Sequence, residues 1–385
     1  NVMTSNSYNF SVDGIMLSHF VNDVDASNTV DGKPVYYWIN REDEAVPLDA
    51  GYVALINCTC ITVHNLNLTK NLQSILLAYT TNSTITINNI TNNKYGIGFS
   101  YSSNNSIAGN NIANNFYGIE LEFSSNYNSI SGNNVTGNGR GIYLHGSYGS
   151  SVSGNNIANN YDGIYLSRSS NNSIYHNNFV DNTQQVHITP GYANIWDDGY
   201  PSGGNYWSDY SSTDLFYGPN QDKPGSDGIG DTPYVIDANN ADRYPLMAPF
   251  AAFDAGVWNG TACNVDVVSN STLSDFKIDL YGKTLSFNVT GVENQTGFCR
   301  ITIPNIIVED LWQGNYTVLL NGEPWPFRNW TDTENTYIYL NYTHSTHQIT
   351  IIPEYPSAII LPLFMILSVI AIVFANKKRL KKTKT

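Results

Sequence analysis

A Gly-Ile pair recurs at a fixed spacing through the first half of this chain. It begins at residues 96, 118, 141 and 163, so the period is about 22 residues. Repeats of this length are typical of solenoids, in which each repeat forms one turn and packs on its neighbours. Degraded copies extend the pattern from about Tyr52 to about Thr189, which gives seven turns.

Each repeat contains three short apolar runs separated by Asn, Gly and Ser. Because no apolar period of about 3.6 residues survives between these turn signals, the pattern excludes helices and favours short strands. In a stacked solenoid each strand pairs with its copy one turn along, about 4.8 Å away. The sequence therefore predicts a right-handed parallel β-helix over residues 52–189.

Stacking of equivalent residues predicts four inward columns of apolar side chains. Their members are Ile97, Ile119, Ile142 and Ile164; Phe99, Leu121, Leu144 and Leu166; Ile85, Ile107, Ile130, Val152 and Ile174; and Ile90, Ile112, Val135, Ile157 and Phe179. Asparagines share another register, at residues 88, 110, 133, 155 and 177, and we expect them to form an amide ladder. Asn also tolerates the left-handed backbone found at corners. The asparagines are therefore predicted to be mainly structural.

The segments that flank the coils are predicted to be caps, because an uncapped solenoid exposes strand edges. Residues 1–51 form the N-terminal lead-in, and residues 190–250, rich in Gly, Asp, Tyr and Trp, form the opposite cap. Residues 251–353 alternate apolar and polar residues between turn signals, which predicts a small antiparallel, Ig-like β-sandwich. Cys263 and Cys299 lie in this segment and are candidates for a disulfide in an oxidising exterior.

Residues 354–385 predict a linker, a membrane helix and a basic tail. The uncharged stretch at about 358–375 would span roughly 27 Å as a helix, close to the thickness of a bilayer core. Six Lys and Arg residues follow it, and such charge marks the cytoplasmic side. These features predict a single-pass protein of the cell membrane, with the bulk of the chain extracellular and the C-terminus cytoplasmic. A buried core helix is the alternative.

Two further features fit an extracellular protein. Asn-x-Ser/Thr sites are frequent, which allows a glycoprotein, and the first residues carry no signal-like segment, which indicates a removed signal peptide or a fragment. The net charge is −14, and the chain without its basic tail is more acidic still. Since phosphate binding needs a basic surface, a nucleic-acid partner is not expected.

Three motifs follow the coils: "GGNYWSDY" at Gly203–Tyr210, "SDGIGDTPYVID" at Ser226–Asp237 and "DRYPLMAPF" at Asp242–Phe250. With the repeats, they resemble the NosD-like family of parallel β-helix proteins, often called periplasmic copper-binding proteins, and in particular its archaeal surface proteins. The resemblance covers roughly the first 250 residues. Related folds occur in carbohydrate-binding and sugar-hydrolysing proteins.

The family name implies copper, but the sequence does not favour it. Copper ligands would be Met, His or Cys. Met is rare, the histidines are scattered, and only Cys58 and Cys60 are close in sequence. We therefore do not expect a copper site.

Two outward columns are predicted on one face of the coils. They are Leu76, Gly98, Glu120, Tyr143, Tyr165 and His187, and beside them Ala78, Ser100, Glu122, His145, Ser167 and Thr189. One interpretation is a polysaccharide-cleaving site with Glu120 and Glu122 as acid and base and His145 nearby, since glycosidase carboxylates lie roughly 5–9.5 Å apart. Another is a carbohydrate-binding surface formed by Tyr143, Tyr165, Glu120, His145 and His187. The third interpretation is a solvent-exposed face whose residues bind no ligand.

The basic residues argue against one class of enzyme. Uronate lyases usually need clustered Asp, Lys and Arg, whereas here Arg140 and Arg168 are the nearby cations. Arg140 is expected to pair with Asp162 one coil along. The cleaving interpretation is therefore weaker than the binding one.

A loop in the C-terminal cap carries Asp222, Asp227 and Asp231 between glycines. Oxygen ligands at short spacing on a flexible loop suit Ca²⁺, and the loop resembles Asp-Gly-x-Gly-Asp calcium loops. Asx-turns that satisfy the loop backbone are the alternative.

Together these features predict an all-β, membrane-anchored surface protein that acts without catalysis in adhesion or in contact with envelope carbohydrate. Surface polysaccharide or envelope proteins are its expected partners. The alternative is a polysaccharide hydrolase or lyase with its site on the outer face of the β-helix.

Overall fold

A computed structural model describes residues 1–4 and 6–354 of the chain. The chain forms two compact units. The first comprises Asn1–Ala252, Asp266–Asn270 and Phe298–Ile301, and the second comprises Phe253–Val265, Ser271–Gly297 and the described residues from Thr302 onward.

The first unit is a parallel β-helix whose described strands form three long sheets. Sheet 1 contains, in order, Val2–Met3, Thr29–Val30, Lys33–Ile39, Tyr52–Ile56, Gln73–Ala78, Tyr95–Ser100, Tyr117–Glu122, Arg140–His145, Asp162–Ser167 and Gln184–Ile188. Sheet 2 contains Thr62–His64, Thr84–Thr86, Ser106–Ala108, Ser129–Ser131, Ser151–Ser153 and Ser173–Tyr175. Sheet 3 contains Asn67–Thr69, Asn89–Thr91, Asn111–Ala113, Asn134–Thr136, Asn156–Ala158, Asn178–Val180 and Tyr206–Trp207.

From Lys33–Ile39 onward, each strand of the three sheets pairs in parallel with its counterpart one coil along, whereas Thr29–Val30 pairs antiparallel with Lys33–Ile39. In sheet 1, Ile119 lies opposite Ile97 on one side and Ile142 on the other. Every member of the four predicted apolar columns is at most 1% exposed. The predicted parallel β-helix is therefore confirmed, and the columns form its core.

The glycine of the Gly-Ile pair is needed because successive coils approach closely at that point. A Cβ atom on Gly118 would lie 2.5 Å from the carbonyl oxygen of Gly141, and one on Gly141 would lie equally close to that of Gly163, at 2.5 Å. Such a distance is far below ordinary van der Waals contact, so a side chain would force the coils apart. The repeat of glycine at this position follows from that geometry.

The predicted amide ladder is present at one corner of the coils. Each side-chain Nδ2 donates to the Oδ1 of the next asparagine, at 3.0 Å from Asn88 to Asn110 and from Asn110 to Asn133, and at 2.9 Å from Asn133 to Asn155 and from Asn155 to Asn177. The same side chains also donate to carbonyls of the preceding coil, as Asn133 does to Ile107 at 2.9 Å. The buried corner backbone is thus satisfied by side chains.

Two features of the corners were not predicted. A second buried ladder runs through Asn93, Asn115, Asn138, Asn160 and Asn182. In addition, the left-handed residue is the one before each ladder asparagine, as at Asn92 (φ 58°) and Asn114 (φ 58°). The ladder asparagines themselves therefore serve as hydrogen-bonding groups, while the residue before them makes the turn.

Parallel pairing extends past both predicted ends of the coils. Lys33–Ile39 pairs in parallel with Tyr52–Ile56, inside the segment assigned to the lead-in. Tyr206–Trp207 pairs with Asn178 and Phe179, inside the segment assigned to the C-terminal cap. The terminal coils lack the repeat phrase because one of their edges meets a cap instead of another coil. The N-terminal cap includes the helix Leu17–Phe20.

The C-terminal cap covers the last coil with stacked aromatic side chains and with the buried carboxylate of Asp242. Trp207 stacks on Phe179 at 4.4 Å and on Tyr234 at 4.3 Å between ring centroids. The Asp242 carboxylate accepts the Asn205 backbone N–H at 2.7 Å and the Trp207 indole N–H at 2.9 Å. Since Asn205 extends the ladder from Asn177, Asp242 terminates it. Two hairpins complete the cap: Phe216–Tyr217 with Lys223–Pro224, and Tyr234–Asp237 with Asn240–Asp242.

From Phe250 onward the described chain forms two five-stranded sheets, mostly within the second unit. One contains, in order, Phe250–Trp258, Thr261–Ser269, Thr296–Pro304, Asn335–Thr343 and Arg328–Thr331. The other contains Thr272–Asp279, Thr284–Thr290, Thr346–Pro353, Tyr316–Leu320 and Glu323–Pro324, with antiparallel neighbours. The helix Asn305–Trp312 follows the third strand of the first sheet. An Ig-like topology for this segment stays a prediction.

The structure does not contain the predicted disulfide. Cys263 and Cys299 are not joined by a disulfide bond. The Cys263 Sγ lies 3.6 Å from the Thr261 carbonyl oxygen, and the buried Cys299 Sγ lies 3.3 Å from the Ser269 hydroxyl. Each sulfur therefore has a different local partner, and the pairing inferred from proximity in sequence is corrected.

The predictions of a transmembrane helix and of a single-pass membrane protein are also corrected. Within residues 1–4 and 6–354, no helix is long and apolar enough to cross a membrane. The longer of the two helices described there, Asn305–Trp312, has 8 residues. It would span only about 12 Å of the roughly 30 Å that a bilayer core requires. The stretch predicted to form the helix, about 358–375, lies outside the described residues.

We expect Asn133→Ala to destabilise the protein much more than Asn134→Ala. Asn133 is 1% exposed and its amide donates to two neighbouring coils. The amide of the exposed Asn134 also bonds to two coils, at Asn111 and Asn156, but there water can replace those bonds. Removing the buried side chain leaves corner groups without partners, at a cost of about 1–3 kcal/mol. Urea unfolding measures both variants, and equal destabilisation would contradict the structural role of the ladder.

We also expect Asp242→Asn to destabilise the β-helix, because every hydrogen bond at its carboxylate is an accepted one. An amide would turn an NH₂ group towards the Asn205 and Trp207 donors, at a cost of about 1–3 kcal/mol. The exposed Asp222→Asn is the matched control and should unfold like the wild type. Thermal unfolding of the two variants measures the difference.

Candidate functional site

A cleft of about 480 Å³ opens on the outward face of sheet 1. Residues from four successive coils line it, and Ser11 and Asp13 of the N-terminal lead-in form part of its wall. The polar residues among them are Gln73, Lys94, Tyr95, Ser100, Tyr117, Glu120, Glu122, Tyr143 and His145. It is the place where the predicted outward columns meet the lead-in.

Strand alternation positions the two glutamates at the floor of the cleft. In Tyr117–Glu122, Ile119 and Leu121 point into the core, so Glu120 and Glu122 point outward. Glu120 lies opposite Gly98 on one side and Tyr143 on the other, and Glu122 lies opposite Ser100 and His145. The absence of a side chain at Gly98 leaves space beside Glu120.

The remaining predicted residues continue the same column. Tyr165 lies opposite Tyr143, and His187 lies opposite Tyr165. The structure thus brings Glu120, Glu122, Tyr143 and His145 together in the cleft, and it places Tyr165 and His187 one and two coils beyond Tyr143.

Four tyrosines form a continuous stack along one side of the cleft. Their ring centroids are 5.1 Å apart from Tyr95 to Tyr117, 5.6 Å from Tyr117 to Tyr143 and 5.1 Å from Tyr143 to Tyr165. The Arg140 guanidinium lies over the last three rings, at 5.2, 4.9 and 4.2 Å from their centroids. Stacking and cation–π attraction together hold the rings as a rigid wall.

Arg140 also makes the predicted ion pair. Its Nε atom lies 3.5 Å from the Asp162 carboxylate, which is almost fully buried. The Asp162 carboxylate balances the positive charge of Arg140, and the guanidinium of Arg140 packs over the tyrosine rings.

Glu120 is an acidic residue whose carboxyl has no ion-pair partner among the described residues. The residue is only 8% exposed, and its carboxyl has neither a hydrogen bond nor an ion pair with another described residue. Burial, reinforced by the charge of Glu122, raises the pKa of Glu120 to about 8. At neutral pH the group therefore holds a proton that it can donate to a ligand.

The neighbouring groups complete an acid–base cluster. Burial raises the pKa of Glu122, and the charge of Asp13 adds to the effect. The Tyr143 hydroxyl lies 2.8 Å from Nδ1 of His145. Burial, followed by the charge of Glu122, raises the pKa of Tyr143 to about 12, so its hydroxyl stays protonated and can donate a hydrogen bond.

Six polar residues of the cleft were not predicted: Ser11, Asp13, Gln73, Lys94, Tyr95 and Tyr117. Tyr95 and Tyr117 each precede a Gly-Ile pair, so an alignment of the repeats could have found them. Asp13 has no such signal. It is placed by backbone pairing of the lead-in, in which Asn9 N–H donates to the Lys70 carbonyl at 2.8 Å and Gln73 N–H donates to the Phe10 carbonyl at 3.4 Å.

The three aspartates of the candidate calcium loop differ in burial and in hydrogen bonding. The Asp231 carboxylate accepts the backbone N–H groups of Leu215 and Phe216 at 2.9 and 3.0 Å. Asp227 is buried and accepts the Ile229 N–H at 3.0 Å, whereas Asp222 is exposed. Within the described chain, no three His, Cys, Asp or Glu residues are grouped to hold a metal ion. Calcium at this loop stays a prediction.

The copper implied by the family resemblance does not fit the thiols. The Cys58 Sγ is buried, 3.5 Å from the Trp38 carbonyl and 3.4 Å from that of Ile56, while Cys60 is exposed. Burial raises the pKa of the Cys58 thiol, which opposes the thiolate form that binds soft metals. The two sulfurs therefore do not form a ligand pair.

Several solved structures resemble this chain at low similarity. The Dettilon tailspike protein (gp208) is 14% identical, with coverage of 77% of this chain and 66% of that one and a TM-score of 0.29. The A-module of the mannuronan C-5 epimerase AlgE6 from Azotobacter vinelandii is 15% identical, with coverage of 42% and 55% and a TM-score of 0.28. The enzymatically active domain of tailspike protein 2 from bacteriophage CBA120 is 12% identical, with coverage of 79% and 58% and a TM-score of 0.29.

The chain spans less than two thirds of the length of each of these three proteins. At such TM-scores the likeness carries no argument about function. No curated protein matches the chain in sequence.

The family comparison is more informative, because it covers the lead-in, the coils and the start of the C-terminal cap. The model of the family described as periplasmic copper-binding protein (NosD) matches residues 1–212, more than half of the 385 residues. This chain therefore belongs to the NosD family.

Proposed function

We propose that the cleft on sheet 1 binds a carbohydrate chain and that the protein recognises a polysaccharide. The observation that carries this proposal is an unpartnered carboxyl, Glu120, at the floor of a cleft walled by stacked tyrosines. Carbohydrates combine apolar C–H faces with many hydroxyls, so they fit a surface that offers aromatic rings beside hydrogen-bonding groups.

The length of the cleft favours an oligosaccharide over a single sugar. Its lining runs from Gln73 to His145 across four coils, which corresponds to about 14 Å along the axis. The outward tyrosine column continues to Tyr165 beyond the lining. A chain lying parallel to the axis would therefore meet polar groups from successive coils.

The hydrogen-bonding groups of the cleft also suit hydroxyls. Protonated Glu120 and the Tyr143 hydroxyl donate, while Asp13 and Glu122 accept when ionised. Each is held by a strand of sheet 1 or by the lead-in paired to it. Preorganised groups of this kind bind with little ordering cost.

Tyr143→Ala should weaken carbohydrate binding at least tenfold, about 1.4 kcal/mol, because it removes both a ring of the wall and a hydroxyl donor. Tyr161→Ala is the matched control, since Tyr161 is 66% exposed and outside the cleft lining. The measurement is a glycan array with the whole chain, followed by calorimetry on the strongest ligand, with thermal unfolding to check the fold of both variants. Wild-type protein that binds no glycan, or equal affinity of the two variants, would overturn the proposal.

A further inference from the structure

Building on the proposed carbohydrate binding, we infer that the same cleft hydrolyses the glycosidic bonds of a neutral polysaccharide. Glu120 is the proton donor and Glu122 is the base that activates water. Both residues are catalytic residues in this scheme, because both face the position of the bound sugar chain.

The spacing of the two carboxyls suits this chemistry. Glu120 and Glu122 are two positions apart on one strand and face the same side, so their Cα atoms are about 6.6 Å apart. Inverting glycosidases separate the two carboxyl groups by roughly 6.5–9.5 Å, which leaves room for the attacking water. Parallel glutamate side chains on Cα atoms this far apart place their carboxyl groups close to that range. The side chains need no rearrangement of the sheet to reach that range.

Asp162 and Glu120, both outward acids of sheet 1, differ in their ion pairing. Asp162 is 4% exposed in the same sheet and pairs with Arg140 at 3.5 Å. Glu120 is nearly as buried, at 8%, yet within the described chain its carboxyl has no partner. A largely buried carboxyl without a protein partner is costly, and its position at the floor of a cleft points to a ligand that supplies the partner.

The surroundings of Glu120 set its protonation. The charged and titratable groups that face it are Asp13 from the lead-in, Lys94, Tyr95 and Tyr117 from the neighbouring positions, Glu122 on its own strand, and Arg140, Tyr143 and His145 on the next. Burial and the like charge of Glu122 outweigh Arg140 and Lys94, and they raise the pKa of Glu120 to about 8. The two glutamates titrate as a pair, in which Glu120 keeps the proton and Glu122, the more exposed of the two, loses it first.

The reaction balances with water as the only co-reactant. Glu120 transfers its proton to the glycosidic oxygen as the bond between that oxygen and the anomeric carbon breaks. Water attacks the anomeric carbon from the opposite face and gives its proton to Glu122. The products are two shorter saccharides, and exchange of one proton with solvent restores the starting state of both carboxyls.

The charge of the cleft defines the substrate class. Its lining carries Asp13, Glu120 and Glu122, and Lys94 is the single Lys or Arg among the described lining residues. Ionised uronates would be repelled by Asp13 and Glu122 when these are ionised, and a lyase would need cations to neutralise the substrate carboxylate. The substrate is therefore a neutral polysaccharide.

The test is the release of new reducing ends by the whole chain from dextran, mannan and soluble β-glucan, with polygalacturonate as the polyanionic probe. Glu120→Gln should lower the rate at least a hundredfold while carbohydrate binding persists. Glu323→Gln, an exposed position in the second unit, is the matched control and should keep the wild-type rate.

The possible outcomes separate the two proposals. Binding of a neutral glycan without any product overturns hydrolysis but leaves recognition standing, whereas absence of binding and product overturns both. Full activity of Glu120→Gln, or cleavage of polygalacturonate in preference to the neutral glycans, also overturns the inference.

Stability provides a readout that does not depend on finding the substrate. Between about pH 4.5 and pH 8 the folded state keeps the Glu120 proton that the unfolded state has lost, so this group makes stability fall as the pH rises. Glu120→Gln should therefore raise the melting temperature at about pH 9 by a few degrees and leave it unchanged at about pH 4. The wild-type hydrolysis rate should decline as the pH rises through about 8, because the proton donor is then lost. A variant no more stable than wild type at the higher pH would contradict the buried, unpartnered state of Glu120.

Discussion

Hydrogen bonds between stacked asparagine amides are the constraint on which the β-helix depends. Each coil turns sharply inside the protein, where its backbone N–H groups cannot reach water, and the ladder side chains accept those bonds. The next coil must then present another asparagine at the same corner, so one solution propagates along the axis until Asp242 accepts the last donors. Low charge follows, because like charges stacked at about 4.8 Å would repel.

A scaffold fixed in this way can tolerate an unfavourable group on its surface. Side chains alternate along each strand, so the core columns and the outward columns of sheet 1 are independent of one another. Glu120 sits between Ile119 and Leu121, both fully buried, and those neighbours hold its backbone in place even though its carboxyl lacks a partner. The destabilisation is local, and the ladders and core columns offset it elsewhere, as is usual where a functional group is held in a costly environment.

The structure could be predicted from the sequence wherever the repeat determines it. Inward columns, the first amide ladder and the juxtaposition of Glu120, Glu122, Tyr143 and His145 all follow from a period of about 22 residues. The sequence was insufficient where pairing is not periodic: the position of Asp13, the terminal coils and the separate environments of Cys263 and Cys299. The membrane prediction is a different case: it depended on the hydropathy of residues 358–375 and on the basic run after them, and no described helix is long and apolar enough to cross a membrane.

In this protein, the residues that hold the coils together differ from the residues that face the cleft. The NosD match extends over the coils, whose inward columns, glycines and ladders specify how they stack. None of those residues determines what the outward columns bind, because a change at an outward position leaves the core and the ladders intact. The Cys58 thiol illustrates the distinction: it packs towards carbonyls inside the first coils and serves the scaffold. The carboxyls of Glu120 and Glu122 instead face the cleft and take no part in the stacking of the coils.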